Sequence, residues 1–145
     1  MRSPAAPPVA AIHTQQSLKI LVAEDDEINF DYVNAILTRA NYQILHAWTG
    51  VEAVELCRNH TDIGIILMDI KMPVMDGYIA TREIRKFNLA IPIIAITAYA
   101  AAGDRQNSLD AGMDDYVSKP IKPQALLAVL DKWFPLEYPE VKQEI

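Results

Sequence analysis

Residues 63–77 read IGIILMDIKMPVMDG. Ile63 to Met68 is an unbroken apolar run of strand length, and Asp69 follows it directly. A run of this kind, with no polar alternation, suits a strand covered on both faces. Pro73 and Gly77 punctuate the loop that follows. From Asp76 to Phe87 the period changes, and Ala80, Ile84 and Phe87 align on one helical face. Strand, loop and helix therefore follow one another within about 25 residues, as parallel-sheet units require.

The same unit recurs on both sides. Leu18 to Ala23 is a short apolar strand, and the acidic residues Glu24 to Glu27 mark the start of a helix. Ile28, Tyr32, Ala35 and Ile36 recur at helical spacing until Asn41, and Tyr42 to Ala47 reads as a second strand. Gly50 to Asn59 places Ala53, Val54 and Cys57 on one helical face. Downstream, Pro92 opens a strand over Ile93 to Ile96, a helix over Asp104 to Ala111 stops at Gly112, and a short strand lies near Tyr116. The last helix, Pro123 to Phe134, stacks Leu126, Val129, Leu130 and Trp133 at i, i+3, i+4 and i+7. Five alternating units of apolar strand and amphipathic helix predict an α/β fold: a doubly wound, five-stranded parallel sheet with helices on both faces.

Composition narrows the function. The 145 residues, 51% of them hydrophobic, are enough for one domain with its own core. A net charge of −6 provides no basic footprint for a nucleic acid, so none is expected as a direct partner. The single cysteine, Cys57, excludes an internal disulfide and fits a reducing, cytoplasmic setting. The most apolar window, Leu89 to Gly103, is shorter than the ~20 residues of a membrane span and contains Pro92, Thr97 and Tyr99. Pro4, Pro7 and Pro8 interrupt the N-terminal stretch, which reads as a linker rather than a secretory signal. The expected organisation is a tail over 1–17, a folded domain over 18–135 and a second tail over 136–145.

In doubly wound sheets, ligands bind beyond the carboxyl ends of the strands. The residues there are Glu24 and Asp25 after the first strand, Asp69 after the third, Thr97 after the fourth and Lys119 after the fifth; only the second strand offers no obvious chemical group. Each has an ordinary reading: a helix dipole complemented by Glu24 to Glu27, a turn aspartate at Asp69, a strand-end hydroxyl, a solvated lysine. Their convergence on one rim is what points to chemistry. Three crowded carboxylates repel one another unless a cation neutralises them. Oxygen-only ligands favour Mg2+, with Mn2+ as a substitute, over zinc. His13, His46 and His60 read as structural or solvated. An ionised Asp69 can attack a phosphoryl group to form an acyl phosphate, with Mg2+ and the Lys119 ammonium offsetting the incoming charge and the Thr97 hydroxyl donating to a phosphoryl oxygen.

These residues resemble the receiver domain of two-component response regulators. The likeness is carried by Leu21-Val22-Ala23-Glu24-Asp25, by Met68-Asp69-Ile70-Lys71-Met72-Pro73-Val74-Met75-Asp76-Gly77, by Ile96-Thr97-Ala98 and by Ser118-Lys119-Pro120, and it covers about Leu18 to Phe134. The resemblance implies a sheet order of 2-1-3-4-5 and phosphorylation of Asp69 by a histidine kinase or a histidine phosphotransfer domain. It implies Mg2+ held by Asp25, Asp69 and the Lys71 backbone carbonyl, with Glu24 acting through water. Thr97, the Ala98 backbone and Lys119 would contact the phosphoryl group, and the Lys119–Pro120 peptide would be cis. Thr97 and Tyr116 would move together as a switch, remodelling a face of the fourth helix, fifth strand and fifth helix through which copies could also dimerise.

The wording around Asp69 and Thr97 is most similar to receivers of hybrid sensor histidine kinases, so the parent protein is expected to be such a kinase, itself tethered to a membrane. The chain ends soon after the fifth helix, and its output is expected through a partner or a larger parent rather than by turnover. Asp26 and Ile79 depart from that subgroup, which commonly has asparagine and glutamate there. Partner choice is expected on the first helix near Asn29, Val33 and Leu37. Three alternatives compete. An aspartyl-nucleophile phosphatase would show an acidic residue where Lys71 stands, and a nucleotide site would need a glycine-rich loop in place of Glu24 to Glu27. A pseudo-receiver, a pure interaction module, would not require Glu24, Asp25, Asp69, Thr97 and Lys119 together.

Overall fold

The computed structural model describes residues 12–13, 18–98 and 102–137. Strands β1 (Lys19–Ala23), β2 (Ile44–Ala47), β3 (Ile63–Asp69), β4 (Ile93–Thr97) and β5 (Asp115–Ser118) alternate with helices α1 (Glu27–Arg39), α2 (Gly50–Asn59), α3 (Gly77–Arg85), α4 (Ala102–Ala111) and α5 (Pro123–Trp133). All neighbouring strands are parallel and lie in the order β2-β1-β3-β4-β5, the doubly wound order expected.

The period of two along each strand divides the core into two layers. Leu21, Ile66, Met68, Ile93 and Ala95 face α2 and α3, where Ala53, Cys57, Ala80 and Ile84 meet them. Ile20, Val22, Ile65, Leu67 and Ile94 face α1 and α5, meeting Val33, Leu37, Leu126 and Leu130. Full burial of each large aliphatic side chain contributes roughly 2 kcal/mol, and both faces of the sheet are covered. This explains why β3 reads as continuous rather than alternating apolar sequence.

Helix starts are set by side-chain caps. Asp26 accepts from the Ile28 amide at 2.9 Å, Thr49 from Glu52 at 3.0 Å and Asp76 from Ile79 at 2.9 Å. Helix α5 differs: Lys122 occupies the cap position without a side-chain bond, and Pro123 begins the helix. Helix α4 ends at Gly112, whose φ of +106° suits glycine. Arg85 fastens the pole opposite the carboxyl ends of the strands. It donates to the carbonyls of Gly112, Asn88 and Ile91 at 3.0, 3.1 and 2.7 Å and to Asp114 Oδ2 at 3.0 Å.

The apolar face assigned to the first helix needs correction. Ile28 is 77% and Tyr32 47% exposed, whereas Val33 and Leu37 are buried. The i, i+4 pair Val33 and Leu37 packs on the sheet, and Ile28, in the first turn, is left in solvent. Val33 and Leu37 are therefore core residues and not part of a partner-reading surface; Asn29 remains exposed. Phe87, expected on the buried face of α3, lies past the helix end and is 39% exposed, under the Arg58 guanidinium.

Ile12–His13 and Leu136–Glu137, which fall in the expected tails, pair as a short antiparallel ribbon. The rest of those tails, and Tyr99 in the apolar window, lie outside the described residues. No helix among the described residues is long and apolar enough to cross a membrane.

Candidate functional site

Because β1, β3 and β4 are parallel neighbours, their last residues share one rim. Glu24 and Asp25 follow β1, Asp69 and Thr97 close β3 and β4, and Lys119 follows β5. One carboxylate oxygen from each of Glu24, Asp25 and Asp69 lies within 4.8 Å of the other two. Lys119 reaches across the sheet to this cluster, with its Nζ 3.2 Å from Asp69 Oδ2 and 3.8 Å from Glu24 Oε1. Glu24 and Asp69 are buried, while Asp25 is open to solvent.

The cluster is electrostatically costly. Burial, and then the charge of Asp69, push the Glu24 carboxyl up to about 7; the Asp26 amide and the Lys119 ammonium act in the opposite direction. The Lys119 ammonium thus lies against two of the three carboxylates, Asp69 and Glu24. The donor set of three converging hard oxygens, with its excess of negative charge, fits a divalent cation of the Mg2+ type.

Short local ties set the geometry. The Asp26 amide donates to Glu24 Oε2 at 3.1 Å and the Lys71 amide to Asp69 Oδ1 at 3.2 Å. The Lys119 amide donates to the Thr97 carbonyl at 2.7 Å, joining the ends of β4 and β5. The Lys119–Pro120 peptide is cis. Gly77 lets α3 approach the end of β3: a Cβ at this position would lie 2.5 Å from the Asp69 carbonyl oxygen and 2.8 Å from Ile70 Cα. Between them, Val74 has φ of +69°, and the Met75 amide donates to the Pro73 carbonyl at 2.7 Å, forming a γ-turn that leaves Val74 96% exposed.

Of the residues expected at the site, Glu24, Asp25, Asp69 and Lys119 come together directly. Thr97 is buried at the same rim, Ala98 is exposed beside it, and Lys71 is exposed and lines an adjoining cleft with Thr97 and Asp104. Tyr116 packs against the core layer beneath α2 and α3. Its ring sits beneath the Arg105 guanidinium, 4.7 Å from Cζ to the centroid, and its hydroxyl accepts from Arg105 Nη2.

Two contributors, His46 and Tyr32, escape sequence reading, while Asp26 serves the helix start that the acidic run predicts. Asp26 is used as the α1 cap and is not one of the three converging carboxylates. His46, on the strand that offers no obvious chemical group, places Nε2 2.9 Å from the Glu24 carbonyl oxygen, stacks on Phe30 and has Trp48 tilted against it. Tyr32 donates its hydroxyl to the Ile121 carbonyl at 2.9 Å, bridging α1 to the loop that carries Lys119. The apolar neighbours of Tyr32 at helical spacing disguise it as a core residue, and no local signal marks His46.

The family model described as the response regulator receiver domain matches residues 20–131. The chain belongs to this family. Among curated relatives, the two-component system protein A of Emericella nidulans is 43% identical over 117 residues, which is 79% of this chain but 17% of that protein. The receiver therefore spans a small part of that relative's length. The receiver domain of a sensor histidine kinase from Pseudomonas aeruginosa is 41% identical with a TM-score of 0.75, covering 81% of this chain and 97% of that one. Its structure holds a magnesium ion coordinated in the active-site cleft. The receiver domain of Saccharomyces cerevisiae Ssk1, solved with the histidine phosphotransfer protein Ypd1, is 26% identical with a TM-score of 0.77, covering 86% of this chain and 90% of that one.

Proposed function

We propose that this receiver accepts a phosphoryl group from a phosphohistidine onto Asp69. The observation that carries the reading is the buried Asp69 carboxylate, flanked by Glu24 and Asp25 and contacted by the Lys119 ammonium at 3.2 Å. An Asp69 oxygen attacks phosphorus in line, the bond from phosphorus to the imidazole nitrogen breaks, and the imidazole leaves with the bonding pair and takes up a proton. Lys119 offsets charge on the transferred group, while the Thr97 hydroxyl and the Ala98 amide donate to its oxygens. Asp25, Asp69 and the Lys71 carbonyl would hold Mg2+, with Mn2+ as a substitute and Glu24 acting through water. When bound, the ion supplies the positive charge that lets an anionic donor approach an anionic nucleophile.

The phosphoryl oxygens draw Thr97 inward, and Tyr116 then leaves Arg105 and turns toward the vacated space. The face formed by α4, β5 and α5 is remodelled, and partners or a second copy read the change. The donor is a histidine kinase or a histidine phosphotransfer protein, and the receiver spans 18–135 of a larger cytoplasmic signalling protein of the hybrid-kinase type. It gains and loses its own phosphoryl group rather than turning over a substrate.

Intact-mass analysis after incubation with acetyl phosphate tests this reading. A single Mg2+-dependent phosphoryl adduct on the native chain, absent from Asp69→Asn, supports it. An adduct that persists in Asp69→Asn refutes the assignment of the acceptor, and no adduct in any condition leaves a pure interaction module.

A further inference from the structure

Lys119 can neutralise a phosphoryl group only if its backbone is held where the ammonium reaches Asp69. On one side the backbone is fixed by the Lys119 amide donating to Thr97 at 2.7 Å. On the other side, residues 120–122 lead to α5, whose cap residue Lys122 makes no side-chain bond to the helix. The tie found there is the Tyr32 hydroxyl donating to Ile121 at 2.9 Å. Proline restricts the intervening backbone at residue 120, so displacement of Ile121 passes to Lys119. Tyr32 also lines, with Glu24, Asn29, Lys119, Pro120 and Ile121, a cleft of about 200 Å³ beside the carboxylates. Tyr32 also lines a wider groove between α1 and α5, together with Ile36, Arg39, Pro123 and Leu127. The Tyr32 bond spans the end of that groove nearest the site.

We propose that Tyr32 is a positioning residue for phosphoryl transfer, a strut from α1 that holds the loop after β5 so that the Lys119 ammonium meets Asp69. Its hydroxyl bonds the Ile121 carbonyl, and it acts through Ile121 and Pro120. Glu24, Asp25 and Asp69 are placed by β1 and β3, and their grip on a cation does not depend on the strut. The inference rests on Asp69 being the acceptor.

The test is a double-mutant cycle in the full 145-residue chain, with Tyr32→Phe, which removes only the hydroxyl, and Lys119→Ala. The rate of phosphoryl incorporation from acetyl phosphate at saturating Mg2+ is followed by intact mass, and the Mg2+ dissociation constant is measured separately by calorimetry. Tyr32→Phe is expected to slow incorporation roughly three- to tenfold, the range that loss of one neutral hydrogen bond supports. The Mg2+ constant should stay within about twofold, and the Tyr32→Phe effect should fall below about twofold once Lys119 is alanine. An unchanged rate in Tyr32→Phe overturns the proposal. So does an equal effect in both backgrounds, or a loss of Mg2+ affinity that accounts for the slower rate; each makes Tyr32 merely structural. If the native chain itself takes up no phosphoryl group, the Asp69 reading fails and this inference with it. Uptake by the native chain with an indifferent Tyr32→Phe removes only the strut.

Discussion

In chelator, the chain should lose stability as pH rises through neutrality, and Glu24 should account for the loss. Its carboxyl is raised from 4.5 to about 7, chiefly by burial and next by the charge of Asp69. A shift of that size corresponds to about 3 kcal/mol. Folding strengthens proton binding here, so between these values the folded chain holds more protons than the unfolded one, and stability falls with rising pH. The favourable contribution is complete below pH 4.5 and gone above about 7. Replacing Glu24 by Gln removes the ionisation and keeps an oxygen that can accept from the Asp26 amide. Urea unfolding of both chains in chelator should therefore find Glu24→Gln more stable by about 3 kcal/mol at pH 8, but by less than about 1 kcal/mol at pH 5. Titrating groups away from the site occur in both chains and cancel, and Asp69 and Lys119, whose charges act on Glu24, are present in both. Mg2+ at about 100 times its dissociation constant should return close to 3 kcal/mol to the native chain at pH 8, and less at pH 5, where protons compete for the same oxygens. A stability gap that does not change with pH, or a Glu24→Gln chain that is the less stable one at pH 8, would refute the assignment of Glu24 as a buried, electrostatically strained carboxylate.

Gly77→Ala should cost at least ~2 kcal/mol and slow phosphorylation, because its Cβ would meet the Asp69 carbonyl at 2.5 Å and backbone must shift; thermal unfolding and intact-mass kinetics check both effects. Thr81→Val should stabilise by about 1 kcal/mol in urea unfolding, since the Thr81 hydroxyl is fully buried on α3 and finds no hydrogen-bond partner among the described residues. Arg85→Ala should destabilise by about 3 kcal/mol in the same assay, because three carbonyls and the Asp114 carboxylate lose a nearly buried donor.

The fold is legible in the chain because burial on both faces and helical periodicity are both one-dimensional signals. Ile63 to Asp69 contains no solvent-facing alternation to confuse a strand with a surface helix, and α2 shows its buried face openly as Ala53, Val54 and Cys57. Helix α1 is less legible. Phe30, Tyr32, Val33, Ile36 and Leu37 place apolar groups around much of its circumference, so spacing alone offers several stripes, and the position of the sheet decides that Val33 and Leu37 win. Phe87 misleads for a related reason: it keeps the helical phase after the helix has ended at Arg85.

The chemical residues are legible for a different reason. Parallel strands deliver their carboxyl ends to one rim, so a residue's place at the end of an apolar run predicts its neighbours in space. That rule reaches Glu24, Asp25, Asp69, Thr97 and Lys119 without any knowledge of side-chain geometry. It cannot reach Tyr32 or His46, which act on main-chain carbonyls 89 and 22 residues away in the sequence. Any residue type presents the same carbonyl, so the acceptor leaves no trace in composition. The donors resemble packing aromatics until the loop after β5 and the end of β1 arrive beside them. The groups that converge on the rim are thus set by strand order, while the side chains tied to the neighbouring main chain are set by where helix α1 and strand β2 meet the loops. On the positioning role proposed for Tyr32, a substitution there alters phosphoryl transfer while leaving every motif of the family intact.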